Sequence, residues 1–189
     1  MFADHMLQNL AEKYPPPKFQ ERSEFLYEDL IESIVSQQLS IKAADTIFGR
    51  FKALFNQTDF PTPQQILEKS DEELRTAGLS FQKISYIKSV ADAFLSDLID
   101  TKKIKTMSDQ EVIEVLTQIR GVGKWTAEMI LIFTLKRPDV FSVGDLGIRN
   151  AITRLYGITN QQEMLKLSEK WKPHRSTACW YLWRSLENK

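Results

Sequence analysis

The sequence predicts an all-α fold, on three observations. Apolar residues recur at spacings of three and four along most of the chain. Ser, Thr or Asn stands ahead of several of these stripes, often three residues before Glu, where a side chain can satisfy the orphan amides of a first helical turn. Only seven glycines and seven prolines punctuate 189 residues, and no long apolar/polar alternation suggests a sheet.

Ser23 is placed to cap a helix carrying Leu26, Leu30 and Ile34 on one stripe. Ser40 is placed to cap the next, with Ala43, Ala44, Ile47, Phe51 and Leu54. Thr62-Pro63 starts a short helix. Ser70 with Glu73, Ser108 with Glu111 and Asn160 with Glu163 have capping-box spacing. Ile84, Ile87, Ala91, Phe94 and Leu98 form a one-sided apolar stripe over residues 81–98. Lys102, Lys103 and Lys105 read as a solvated loop. A helix over 109–119 is broken at Gly121-Val122-Gly123 and resumes over 124–136. Helices near 145–156, 161–171 and 173–187 complete the chain. No solenoid repeat is present.

With 42% hydrophobic and 26% charged residues the chain can bury a real core, as one compact domain or as two small lobes. No apolar run reaches the length of a membrane span. The first residues, MFADHMLQNLAEKYPPP, do not read as a signal peptide. The single cysteine, Cys179, excludes an intrachain disulfide and a four-cysteine iron–sulfur or zinc site. With only His5 and His174 besides, no dedicated transition-metal centre is expected, and the setting expected is reduced and intracellular, cytoplasmic or nucleoid-associated. The net charge is zero, but residues 1–100 carry 10 Lys/Arg against 16 Asp/Glu and residues 101–189 carry 15 against 9. Two readings stand: an acidic body with a basic face for nucleic acid, or two solvated faces without consequence.

The most informative segment is LTQIRGVGKWTAEMILIFTL, residues 116–135. Two glycines one residue apart permit a tight turn with positive φ. Val122 can tuck between the flanking helices, and the amides opening the second helix suit a phosphate oxygen, with Lys124 adding a cation. An ordinary αα-hairpin with a Gly-rich turn fits the spacing equally. The segment resembles the hairpin of the helix-hairpin-helix DNA glycosylases. FSVGDLGIRNA at 141–151 places Asp145 where that family has an aspartate at the start of a helix. IVSQQLSIKAA at 34–44 resembles the Gln-Gln junction of the alkylbase branch, the 3-methyladenine DNA glycosylase II family, and WKPHRSTACWYLWR at 171–184 is similar to that branch's last helix. The four motifs occur in the family's order over about residues 25–187.

The resemblance implies two helical lobes with a central cleft and a helix-hairpin-helix motif, forming one glycosylase domain over 1–189 without a separate N-terminal β domain. It implies a monomeric enzyme acting on double-stranded DNA that contains alkylated bases, and no membrane partner. It implies no cofactor beyond a structural Na+ or K+ held by the backbone of Gln118, Gly121 and Gly123. Gly121, Val122, Gly123, Lys124 and Thr126 would face DNA. So would Gln38, Leu39 and Ser40, with Gln38 or Leu39 as the wedge that fills the gap left by a flipped nucleotide. For Leu39 and Ser40 a buried side chain and a plain helix cap remain open.

Asp145 has two readings: an N-cap, which its place before a helical run suggests, and the catalytic carboxylate, which the resemblance implies. A carboxylate suits the second because the glycosidic bond breaks with oxocarbenium character. Bifunctional relatives carry a lysine two residues after the second hairpin glycine. Here Trp125 stands there, and Lys124, one position earlier, points about 100° away on a helix, so base removal without strand cleavage is expected. In the alkylbase branch an aromatic residue at that place and a tryptophan on the last helix line the base pocket. Trp125 and Trp183 occupy these positions, with Met129 where some relatives have Tyr. Both tryptophans also read as core residues, as do Trp171, Trp180 and Cys179. Arg175-Ser176 suits a phosphate or a structural ion pair. Leu79 to Lys83, after Gly78, suits a further phosphate contact. The rival readings are a non-catalytic DNA-binding module, which needs the hairpin but not Asp145 with the two tryptophans, a glycosylase of other base specificity, and a structural all-α adaptor.

Overall fold

The computed structural model describes residues 2–55 and 59–187, and among them there are helices, turns and loops but no strand. The α-helices in chain order are α1 (His5–Lys13), α2 (Leu26–Ser36), α3 (Ile41–Ala53), α4 (Pro63–Glu68), α5 (Asp71–Arg75), α6 (Phe81–Leu95), α7 (Thr101–Ile104), α8 (Asp109–Leu116), α9 (Lys124–Met129), α10 (Leu146–Tyr156), α11 (Gln161–Ser168) and α12 (Arg175–Leu186). They fall into two compact units: Arg22–Ile130, and Met1–Glu21 with Leu131–Lys189.

In the unit of residues 22–130, α6 is the hub and packs on α2, α4 and α5, while α2 also packs on α3, and α8 on α9. Its core is aliphatic and aromatic: Leu30, Ile31, Ile34, Phe51, Ile66, Leu74, Ile84 and Ile87 are fully buried. Side-chain caps set most helix starts. Ser40 accepts from the Ala43 amide at 3.4 Å, and Thr62, Ser70 and Ser108 form reciprocal capping boxes with Gln65, Glu73 and Glu111. Ser23 does not cap α2. It is buried in a 3-10 turn, Ser23–Phe25, and α2 begins behind Phe25 with no side-chain cap. The stripe of α6 stops short of expectation, since the helix ends at Leu95 and Leu98 is exposed. Lys102 and Lys103 sit on the short helix α7, not in a loop, because the Asp100 carboxylate accepts from both of their amides.

In the other unit α12 packs on α1 and α10, and α10 on α11. Leu7, Ile148, Ile152, Met164, Trp171, Cys179 and Leu182 lie in one core. Trp171 and Cys179 are buried as expected, whereas Trp180 is half-buried and its indole donates to the Pro15 carbonyl at 3.4 Å. Asn160 caps α11 by accepting from the amides of Gln162 and Glu163. Helix α1 has no counterpart in the sequence expectations. Asp4 caps it, accepting from the amides of Met6 and Leu7, and also accepts from the Tyr156 hydroxyl at 2.7 Å and the Trp171 indole at 3.3 Å. Burial alone raises the Asp4 pKa, but these hydrogen bonds outweigh it and hold the carboxyl below its usual value.

Candidate functional site

The turn between α8 and α9 is set by one glycine rather than two. Gly121 has φ +93°, and a Cβ there would run into the Tyr86 ring. Gly123 is the N-cap of α9 at φ −92° and ψ 173°, a conformation open to any residue, and a Cβ there meets nothing within 4 Å. Val122 is buried as its apolar side chain requires, so anything it offers a ligand comes from its backbone. Thr126 was expected among the DNA-facing side chains, but it is 2% exposed and faces the interior of its helix packing. Lys124 is well exposed and lies 3.8 Å from the buried carboxylate of Glu128, one helical turn on. Trp125 is 44% exposed, a large fraction for an indole, and Met129 is half-buried one turn further along.

The Gln-Gln junction lies against this hairpin. Gln37 Nε2 donates to the Gly121 carbonyl at 3.2 Å. Lys83, on α6, donates from Nζ to the carbonyls of Val35 at 2.6 Å and Gln37 at 2.8 Å. Burial lowers the Lys83 pKa. Gln38 is exposed with φ +60°, and Leu39 and Ser40 beside it are also exposed. A cavity of about 450 Å³ opens between Gln37, Gln38, Lys83, Tyr86 and the hairpin turn. Ser80, in the segment suggested as a further phosphate contact, caps α6 through the Lys83 amide.

Of the carbonyls assigned to a cation, that of Gly121 accepts from Gln37 and that of Gly123 from the Ala127 amide at 3.0 Å. Each carbonyl oxygen has a second lone pair, so the set still fits a weakly held monovalent ion. Among the described residues no group of three or more His, Cys, Asp or Glu could hold a metal ion.

In the other unit, Asp145 is the N-cap of α10. Its Oδ1 accepts from the Ile148 amide at 2.8 Å and from the Trp183 indole Nε1 at 2.9 Å. The cap reading is therefore correct as geometry, and the same two donors fix the carboxylate's orientation. Trp183 stacks on Phe133, with ring centroids 5.6 Å apart and planes 29° from parallel. Phe133 is in the π-helical turn Ile130–Thr134 that follows α9. Two participants went unnoticed in the sequence. Phe133 continues the four-residue spacing of Trp125 and Met129, which is a helical-face signal. Gly147 has no such signal: a Cβ there would stand 3.0 Å from Trp183 Cδ1 and 3.1 Å from Asp145 Oδ1, so the close approach of indole and carboxylate needs its absence. Arg175 is engaged in a bidentate ion pair with Asp139, at 2.8 and 2.9 Å, and Ser176 is buried between the backbone of Arg137 and Val140. These two residues are structural and not a phosphate site.

Residues 31–174 match the HhH-GPD superfamily of base excision DNA repair proteins. The chain belongs to this family. Among the relatives of this member, DNA-3-methyladenine glycosylase 1 of Schizosaccharomyces pombe is 45% identical over 183 residues, 95% of this chain and 80% of the relative. The solved structure of the S. pombe 3-methyladenine DNA glycosylase in complex with abasic DNA superposes with a TM-score of 0.86 at 42% identity, covering 97% of this chain and 92% of that one. A DNA-3-methyladenine glycosidase from Bacillus halodurans gives 0.84 at 37% identity, over 98% and 86% of the two chains. No helix among the described residues is long and apolar enough to cross a membrane.

Proposed function

We propose that this helix-hairpin-helix protein is a monofunctional DNA glycosylase that excises alkylated purines of the 3-methyladenine and 7-methylguanine type in base excision repair. It acts as a monomer on double-stranded DNA inside the cell, in the cytoplasm or on the nucleoid. The observation that carries this reading is the Asp145 carboxylate, held at the start of α10 by the Ile148 amide and the Trp183 indole. The target nucleotide is flipped out of the stack, with Gln38 or Leu39 entering the gap. Lys124 and the amides of the hairpin turn hold the strand by its phosphates. A Na+ or K+ on the carbonyls of Gln118, Gly121 and Gly123 would add positive charge near those phosphates, and no step depends on it.

Cleavage of the N-glycosidic bond leaves its electron pair on the departing purine and positive charge on the sugar. Asp145 stabilises that charge and orients water, which adds to the sugar carbon and loses its extra proton to solvent water. A ring-alkylated purine is already cationic, so it leaves as a neutral base and needs no strong acid. Indole faces at Trp125 and Trp183 favour such a cation by about 1–2 kcal/mol per desolvated ring. With Trp125 at the place of the lyase lysine, no amine forms a Schiff base with the sugar. The expected product is an intact abasic strand, broken only after alkali.

Asp145→Asn tests the reading. Asn keeps the acceptor for Ile148 and Trp183 and caps a helix well, so the variant should melt like wild type and hold abasic DNA. Its single-turnover excision should fall about 10²–10³-fold, roughly 3–4 kcal/mol. Excision of 7-methylguanine at the wild-type rate would remove Asp145 from the chemistry. Efficient borohydride trapping of an enzyme–DNA adduct would overturn the monofunctional assignment.

A further inference from the structure

The chain between α2 and α3 must do two things at once. It joins two packed helices through only four residues, and on the proposed function it presents Gln38 to the duplex. Gln38 adopts the left-handed conformation, φ +60°, which a side chain other than glycine's disfavours. Such a conformation persists only where the surroundings over-determine it. Two contacts do so. The last carbonyls of a helix lack intrahelical partners and carry partial negative charge. At the end of α2 the Lys83 ammonium spans two carbonyls there, Val35 at 2.6 Å and Gln37 at 2.8 Å. Gln37 turns its side-chain amide the other way, onto the Gly121 carbonyl at 3.2 Å. The residue before Gln38 is thus held from α6 and tied to the hairpin turn.

We infer that Lys83 is a positioning residue for base flipping: through the Val35 and Gln37 carbonyls it holds the Gln38 loop in the geometry in which Gln38 enters the duplex, in register with the hairpin. The inference rests on the glycosylase reading and on Gln38 as the wedge. Lys83 itself need not touch DNA. Its stem emerges from the first turn of α6, where Ser80 caps the helix through the Lys83 amide, so the ammonium is delivered from a fixed base. Burial of the ammonium lowers its pKa, the cost of using a charge as an internal brace.

The test compares excision of 7-methylguanine from a duplex where it pairs with cytosine and from one where it faces an abasic analogue. Flipping is cheaper in the second, so wedge and brace matter less. Gln38→Ala and Lys83→Met should each slow the paired substrate by about tenfold or more and the unpaired one by less than about threefold. Lys83→Arg, which keeps charge and donors, should restore most of the rate. Because both changes act through one loop, the double variant Gln38→Ala/Lys83→Met should be no slower than Gln38→Ala within about threefold. Gln37→Leu keeps Lys83 and should reproduce the pattern if Lys83→Met does not fold, as judged by its melting temperature. Equal slowing of both substrates, or additive losses in the double variant, overturns the positioning role. A selective Gln38→Ala with a wild-type Lys83→Met also overturns it and leaves the wedge intact. A silent Gln38→Ala overturns wedge and brace together, while persistence of excision in every variant leaves the glycosylase reading standing.

Discussion

At the scale of single residues, the contact between Trp183 and Asp145 depends on a side chain that is not there. Gly147 occupies the second position of α10, where a Cβ would press on both Trp183 Cδ1 at 3.0 Å and Asp145 Oδ1 at 3.1 Å. To admit a Cβ, the indole or the carboxylate must give by a few tenths of an ångström, a shift small enough for the fold to absorb but taken directly from the Trp183–Asp145 contact. In a helix Ala is favoured over Gly by about 0.5–1 kcal/mol. Gly147→Ala should therefore keep or raise the melting temperature and yet slow single-turnover excision, by roughly three- to tenfold for a displacement this small. A variant that is both stabilised and fully active would show that the indole–carboxylate contact is not part of the chemistry. The sequence made Asp145 and Trp183 legible through motif and order, but their direct contact spans 38 positions and is carried by tertiary packing. Gly147 was silent because its role is to leave space, and no residue type announces that.

At the scale of elements, caps and apolar stripes placed most helices, since both are local and physical. The two failures have different causes, one local and one tertiary. Ser23 has a capping side chain but is drawn into a 3-10 turn and buried. Helix α1 is short, buries only Leu7 and Leu10, and is also held by Asp4, which reaches Tyr156 and Trp171 from far along the chain. That carboxyl is held below its usual pKa in the folded state. Its contribution is therefore complete above the unfolded value and is lost as pH falls through the folded one. Asp4→Asn should cost about 1 kcal/mol at neutral pH. The gap between the wild-type and variant melting temperatures should close on acidification below the ordinary carboxylate range. A gap that stays constant down to strongly acid pH would mean that charge on Asp4 contributes nothing. The hairpin divides in the same way. Gly121→Ala meets both a left-handed backbone and the Tyr86 ring, and should destabilise by about 1–3 kcal/mol. Gly123→Ala meets neither and should melt within about 0.5 kcal/mol of wild type. A loss of DNA affinity in Gly123→Ala would therefore report close approach of a DNA strand rather than a damaged turn, and unchanged affinity would argue against contact there.

At the scale of the whole molecule, the charge division at residue 100 does not survive folding as a boundary. The unit of residues 22–130 carries 13 Lys/Arg against 17 Asp/Glu, and it is the one that holds the hairpin. An acidic unit that binds a polyanion must do so through a few placed cations and backbone amides, because its summed field opposes approach. Each phosphate neutralised by a lysine contributes about 0.9 to the slope of log affinity against log salt. Lys124 is exposed and close only to Glu128 among the ion pairs described. Lys102 and Lys103 are also exposed, but they lie on α7, whose start is tied down by Asp100. If binding is local to the hairpin, Lys124→Ala should flatten the slope by about one contact, whereas Lys102→Ala should weaken binding slightly and leave the slope as it was. If the excess of positive charge after residue 100 acts instead as a diffuse basic face, both substitutions should flatten it equally. Fluorescence-anisotropy titrations of an abasic duplex across a range of salt concentrations separate the two. Equal slopes for the two variants would return the charge split to the meaning first suggested by the sequence and take the hairpin lysine out of its special place.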